Sequence, residues 1–558
     1  MADEWNSLFN SDDDDSEFEG FSPSDIDETE NRSIGSDISI SEVDTDSSDD
    51  DNPDQINQTW SRYLKKPQVA DFREQIGATF QLNEEKKEID FFHKFFPVSL
   101  VEKIVAETNA YAVKCIQVRP DKVWVPTTFP EMMAFLGIHV LFSIVGIPSY
   151  TLAWKSTWPF EIPAVPSIMT RTRFERISKY FHMNDTSQNP PRRQPGHDKL
   201  CHIRPILNEL SRTCLDNYNP NKEQSIDEGM IAFKGRLSFK QYLPAKPTKF
   251  GIKVWERASP QNGYCHEFQI YTGKVEGVRT EEGLGSRVIK DLSRHLVGKN
   301  HVIYMDNFFS NPALFESLLA EGIYCSGTVR INRRGMPEAI KGVKLKEKGD
   351  TFTVQKGNLV ATAWKDKKVV TYLSTNCDPT ESRVVQRRKK DGTLQNVSAP
   401  IVSDLYNKFM FGVDLADQKR MQYSTCRKSK KWYKYLFWFC FDLAVTNALI
   451  CMQESQNHQK RSKNNKVIKM TQLEFRTGLA QQLIGQFRGT RKRKAPATVG
   501  NCGLAHWPTQ FDKPGRCKGC TKENRRHEVK IGCKQCDIRL CVKHDCFAKY
   551  HEELLISE

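Results

Sequence analysis

Four aspartates carry the chemical signal in this chain: Asp227 in SIDEGMIAFKGR, Asp306 in HVIYMDNFFS, and Asp414 with Asp417 in FGVDLADQ. Each falls at a predicted strand end or helix start, within sequence rich in Lys and Arg. Carboxylates that are distant in sequence but convergent in space hold two hard divalent cations, and a basic surface holds the phosphodiester those cations activate. Mg2+ suits that task, with Mn2+ as a substitute, because it takes oxygen ligands and keeps several waters. Of the two ions per site, one lowers the pKa of an attacking water or 3′-hydroxyl and the other stabilises the leaving 3′-oxygen. Asp227, Asp306 and Asp414 read as the metal-binding triad. Asp417, spaced i, i+3 from Asp414 on one helical face, reads as a further member of the catalytic set. Strand alternation turns the neighbouring Glu228 away from Asp227.

A second cluster lies near the end of the sequence. Six of the 16 cysteines fall in residues 517–558. Cys517-x2-Cys520, Cys533-x2-Cys536, and then Cys541, His544, Cys546 and His551 supply eight ligands, enough for two tetrahedral structural Zn2+ sites. So short and polar a segment needs metal to fold. Interleaved cross-brace wiring pairs Cys517, Cys520, Cys541 and His544 around one ion and Cys533, Cys536, Cys546 and His551 around the other. The surrounding Lys and Arg suit DNA contact; protein contact or dimerisation is the other reading.

The formal charge of +13 conceals a split. Residues 1–55 hold 20 acidic residues against Arg32 alone, about −19, which leaves about +32 on the remainder, a charge suited to a polyanion. The acidic arm, rich in Ser and poor in apolar residues, is expected to be disordered. It reads either as a solubilising tail or as a DNA mimic that competes for the basic surface, and Ser11, Ser16, Ser41 and Ser48 precede acidic residues as phosphorylation sites would. Nothing reads as a signal peptide. The apolar run 435–450 is short for a membrane span and contains Asp442, so a buried helix, no membrane and an intracellular protein are expected. Arg491-Lys492-Arg493-Lys494 reads as a nuclear-import signal.

The elements that must position these residues follow from periodicity. Residues 1–85 form the arm. Residues 86–222 are helical, with a capping box expected at Ser99 and Glu102 and a helix opening at Pro130. Residues 223–330 change period: a strand at 225–233, a hairpin across Ser259-Pro260-Gln261-Asn262-Gly263, a helix at 286–296, a strand ending at Asp306, a helix and a strand. Three antiparallel strands followed by helix, strand, helix and strand is the RNase H-like order. Residues 331–400 read as a β-rich insertion and 401–423 as the last part of the core. Residues 424–490 return to the helical domain, 491–512 are a basic linker, and 513–558 are the zinc-binding domain. The expected class is therefore α/β and multi-domain. Lys234, Arg236 and Lys240 after the first strand, and Arg427, Lys428, Lys430 and Lys431 before the closing helix, are candidate DNA contacts that position phosphate without reading sequence.

The segments SIDEGMIAFKGRLSFKQYLPAKPTKFGIK (225–253), YMDNFFS (304–310), GTVRINRRGMP (327–337) and FGVDLADQ (411–418), with the terminal Cys/His cluster, resemble piggyBac-type DDE/D transposases over residues 86–551. The resemblance implies a cut-and-paste DNA transposase working as a homodimer on terminal inverted repeats and TTAA targets, through hairpin intermediates, with no small-molecule substrate. It implies a helical DNA-binding and dimerisation domain split around the core, and terminal-repeat binding by the zinc domain. It also implies a functional role for Asp417 and target-DNA handling by Arg330, Arg333 and Arg334. A domesticated relative that binds DNA or chromatin without cutting is the alternative.

Overall fold

The computed structural model describes residues 59–489, apart from 156–159, 161, 192–193, 245–247, 274–282, 390 and 463–464, and then residues 506 and 508–556. The acidic stretch to residue 55 and the basic run 491–494 lie outside the described residues. Two compact units divide at Arg488/Gly489.

The first unit begins with a strap. Ser61 bridges Gln355, Gln68 and Asn358 exchange hydrogen bonds, and the Ala70 amide donates to Tyr324 Oη at 2.7 Å. Residues 59–85, assigned from sequence to the arm, thus cross the sheet. Their apolar members (Trp60, Val69, Phe80, Leu82) pack on the cores beneath, as the acidic stretch before them has little means to do.

Helices α1 (Glu88–Phe95), α2 (Val98–Val118), α3 (Phe129–Val145), α4 (Arg171–Tyr180) and α5 (Arg204–Asp216) follow. Pro97 stands at the N-cap of α2, so Ser99 lies inside the first turn and the expected capping box is absent. The next segment supplies β1 (Glu223–Ala232), β2 (Gln241–Tyr242), β3 (Phe250–Ala258), β4 (Cys265–Ile270), α6 (Leu284–Ser293), β5 (Val302–Met305), α7 (Pro312–Ala320) and β6 (Tyr324–Thr328). Then come β7 (Thr351–Lys356), β8 (Leu359–Lys365), β9 (Val369–Ser374), the hairpin β10 (Ser382–Arg388) and β11 (Leu394–Pro400), α8 (Ile401–Phe409), α9 (Gly412–Gln422), α10 (Trp432–Glu454) and α11 (Gln472–Ile484).

Nine strands form one sheet in the order β2-β3-β1-β5-β6-β9-β8-β7, with β4 also on β3. β1 pairs antiparallel with β3 and β3 with β4, whereas β1, β5 and β6 run parallel, β6 reached through α7. Parallel neighbours need such crossovers, and the buried VIYM of β5 is the continuous apolar run a central parallel strand requires. Strands β7 to β9, expected as an insertion apart from the core, extend this sheet through the β6–β9 pairing. Among the described strands of residues 331–400, the β10–β11 hairpin alone stands separate from it.

One core joins α1–α5 to α10 and α11 and to residues of β1, β3 and β4, so the helical segments on either side of the sheet region pack together. Helix α10, at 23 residues, is long and apolar enough to cross a membrane by composition, longer than the sequence run suggests. Its most apolar stretch is instead 94% buried in this core. Asp442 on α10 accepts both Arg476 guanidinium N–H groups from α11 at 3.1 Å and the Thr425 amide at 2.9 Å, which compensates a buried charge.

The second unit holds β12 (Thr509–Arg516), β13 (Glu528–Cys533) and β14 (Ile538–Arg539), paired in that order, and α12 (Cys546–Ile556). Its small core is made largely of cysteines, Cys517, Cys520, Cys541 and Cys546 with Leu540.

Candidate active site and metal centres

Parallel pairing aligns Ile226 with Met305, and Asp227 and Asp306 follow one residue later on adjacent central strands. Asp306 begins the turn after β5, where its Oδ1 accepts the Phe308 amide at 2.9 Å and its carbonyl accepts Ser310 Oγ at 2.9 Å. Tyr406 on α8 lies within reach of both carboxylate charges. Burial pushes its phenol well above the usual range, and the charges of Asp306 and then Asp227 push it further.

Helix α9 brings the remaining pair. A Cβ at Gly412 would lie 2.8 Å from Ser225 Cβ and from the Ala258 carbonyl, so only glycine lets the helix start this close to β1 and β3. The Ser225 hydroxyl donates to the Met410 carbonyl at 2.6 Å, fixing the approach. By Asp417 the helix has reached Gly229, whose Cβ position lies 3.5 Å from Asp417 Oδ2. Asp414 therefore sits on the stretch of α9 that passes Asp227. Sequence alternation holds too: Glu228 pairs with Trp255 on the opposite face, where Trp255 stacks on Phe308.

Asp417 differs from the other three in its surroundings. Its Oδ1 accepts a hydrogen bond from Arg420, whose buried guanidinium lies 4.5 Å from the centre of the Phe439 ring. Beside it stands Glu256, absent from the sequence expectation, fully buried and directly opposite Asp227 in the β1–β3 register. Neither Glu256 carboxylate oxygen has a hydrogen-bond partner among the described residues. Burial and then the Asp417 charge push its carboxyl up to about 8, against the pull of Arg420, so this group carries its proton at neutral pH. In sequence it is one of three charges in GIKVWERA, with Lys253 and Arg257, and nothing local singles it out.

The basic candidates divide by structure. Lys234, Arg236, Arg330, Arg334, Lys428 and Lys430 are exposed. Arg330 donates to Asn307 Oδ1 at 3.3 Å, and Arg333 donates to the carbonyls of Asn307 and Phe308 at 2.8 and 2.9 Å, so both brace the turn that carries Asp306. Lys240 caps the Gly235 carbonyl. Lys431 lies over the Tyr111 ring, and Arg427 folds back on the carbonyls of Ser424 and Cys426, with burial drawing its pKa down.

The terminal module holds tightly closed donor sets. Cys517, Cys520, Cys541 and Cys546 place their sulfurs within 4.8 Å of one another, as do the donors of His506, Cys533, Cys536 and His551. Both sets fit a tetrahedral Zn2+ site. This corrects the expected wiring: Cys546 joins Cys517, not Cys533, and His506 completes the second set. Helix α12 explains the change, because it begins at Cys546 and carries His551 more than one turn away, so the two residues face different sites. His506 Nδ1 lies 3.2 Å from Cys533 Sγ and 3.4 Å from Cys536 Sγ. His551 Nδ1 donates to the Phe547 carbonyl at 2.7 Å, leaving Nε2 to face Cys536. The Cys517 sulfur accepts the Cys541 amide at 3.2 Å and the Cys520 amide at 3.5 Å, which outweighs burial and brings its thiol down to about 7. His506 lies 11 residues before Cys517, outside any Cys-x2-Cys spacing, which is why spacing alone missed it.

Residues 87–449 match the family model described as Transposase IS4. The human PiggyBac transposable element-derived protein 3 is 31% identical over 483 residues, covering 82% of this chain and 75% of that protein. The human PiggyBac transposable element-derived protein 5 is 26% identical, covering 77% and 82%. A cryo-EM structure of piggyBac transposase in a synaptic complex with hairpin DNA superposes with a TM-score of 0.65 at 25% identity, over 85% of this chain and all of that one. Matched over most of its length by that family model and by these relatives, the chain belongs to the piggyBac family of transposases.

Proposed function

We propose that this chain is a cut-and-paste DNA transposase with an RNase H-like catalytic core. The observation that carries the reading is the pairing that sets Asp227 and Asp306 side by side at two parallel strands, with α9, the helix of Asp414, starting against β1. The 3-2-1-4-5 arrangement formed by β4, β3, β1, β5 and β6 supports the RNase H-like assignment. Asp227, Asp306 and Asp414 are the residues to hold two Mg2+ ions, or Mn2+ in their place. When bound, such ions lower the pKa of the attacking hydroxyl and neutralise charge on the leaving oxygen. The chain's own part is to hold the carboxylates rigidly. β1 and β5 fix Asp227 and Asp306, Gly412 seats the helix of Asp414, and Arg330 and Arg333 brace the loop beside Asp306.

The exposed Lys234, Arg236, Arg334, Lys428 and Lys430 are proposed to hold DNA phosphates, with the terminal module, a cross-brace held by structural Zn2+, engaging the element ends. Action as a nuclear homodimer at TTAA sites, through hairpin ends, is part of the same reading. The solved relative's description as a synaptic complex with hairpin DNA supports it. The curated relatives' description as transposable element-derived favours a second reading, a DNA-binding protein that no longer cuts. An excision reporter flanked by the cognate element ends separates the two. Excision by the wild-type chain, abolished in Asp306→Asn, is expected; no excision from a well-expressed wild type supports the second reading.

A further inference from the structure

The terminal module contains a third donor set that the two Zn2+ sites do not absorb. Cys520, His527, Cys541 and His544 also place their ligand atoms within 4.8 Å of one another. His544 Nδ1 lies 3.4 Å from Cys520 Sγ and 3.5 Å from Cys541 Sγ, and His527 Nδ1 lies 3.8 Å from Cys520 Sγ. This set shares Cys520 and Cys541 with the four-cysteine set, and those two sulfurs are 3.5 Å apart. A tetrahedral zinc ion with Zn–S of about 2.3 Å and Zn–N of about 2.0 Å separates its donors by roughly 3.3–3.8 Å, which these distances meet.

The outer pairs are not all within ligand distance of one another. Cys517 and Cys546 form a closed set with the two shared sulfurs, and so do His527 and His544, yet the six donors do not form one set. Two tetrahedra that share an edge have that pattern. A single Zn2+ on four cysteines is an ordinary structural site, and two dications with four thiolates and two neutral imidazoles make a neutral cluster. His527 ends the loop before β13 and His544 lies in the turn before α12, so a second ion would tie these two segments through the shared sulfurs.

We propose that Cys517, Cys520, His527, Cys541, His544 and Cys546 bind two zinc ions as a thiolate-bridged pair, with Cys520 and Cys541 as the bridging ligands. With the separate site at His506, Cys533, Cys536 and His551, the module then holds three ions. The test is a zinc count on the purified full chain, in excess Mg2+ to keep zinc off the aspartates. Three zinc ions per chain are expected, falling to two in the His527→Ala/His544→Ala variant, whose four-cysteine set is intact. Cadmium-113 NMR of the cadmium-loaded chain gives a second readout, in which two ions coupled through shared sulfurs are expected and the coupling is lost in the variant. Two zinc ions in the wild type, whether the histidine variant then holds two or one, would overturn the bridged pair, as would three uncoupled cadmium signals.

Discussion

Glu256 offers a measurement that needs no DNA. Its carboxyl lies opposite Asp227 and beside Asp417, fully buried, and is pushed from an ordinary 4.5 up to about 8. The unfolded chain releases this proton near pH 4.5, while the folded chain keeps it until about pH 8. Between those limits the unfolded state binds fewer protons, so this group's contribution to stability falls as pH rises, by about 1.4 kcal/mol per unit. At pH 7 the accumulated cost is roughly 3 kcal/mol. Glu256→Gln preserves the shape and removes the proton. In divalent-free buffer the variant should match the wild type near pH 4.5, exceed it by about 3 kcal/mol at pH 7, and gain nothing further above about pH 8. Urea unfolding of both proteins across pH 4.5 to 8.5, followed by tryptophan fluorescence, measures the difference. A constant difference across that range, or a destabilised variant at pH 7, would show that Glu256 is ionised in the fold.

Two other consequences are as direct. Arg420→Met leaves the Asp417 carboxylate without its guanidinium and should destabilise the first unit by about 3 kcal/mol in the same urea experiment, since removing one partner of a largely buried pair strands the other charge. His506→Ala should remove one zinc ion per chain, whereas Cys502→Ala, with no Cys-x2-Cys partner in sequence, should remove none; native mass spectrometry of the intact chain reads both.

The legible parts of this molecule were those with local patterns. The strand that holds Asp227, the strand that ends before Asp306 and the helix that opens before Asp414 were readable because short apolar runs mark the strands and a helical period returns after Gly412. Glu256 and Arg420 were not, because one charge among the three of GIKVWERA, or one of the two in the KR after FGVDLADQ, gains meaning only when β3 and α9 meet over Gly229. The continuation of the sheet through β9, β8 and β7 depends on the pairing of Ser326 with Ser374, 48 residues apart, which no periodicity encodes. Seven of the eight donors in the two closed sets were named from sequence, all but His506, but their pairing turned on where α12 begins. A helix starting at Cys546 sends that sulfur to Cys517 and leaves His551 to Cys536 and His506.

The central claim is that Asp227, Asp306 and Asp414 form one metal-dependent strand-cleaving centre. Its most direct test is cleavage of end-labelled element-end DNA by the purified chain in Mg2+, beside Asp227→Asn, Asp306→Asn and Asp414→Asn proteins that bind the same DNA. The account predicts metal-dependent release of a 3′-hydroxyl by the wild type and a loss of at least about 1000-fold in each variant, as expected when a ligand common to the reaction is removed. Wild-type-like cleavage by any one of the three would contradict it.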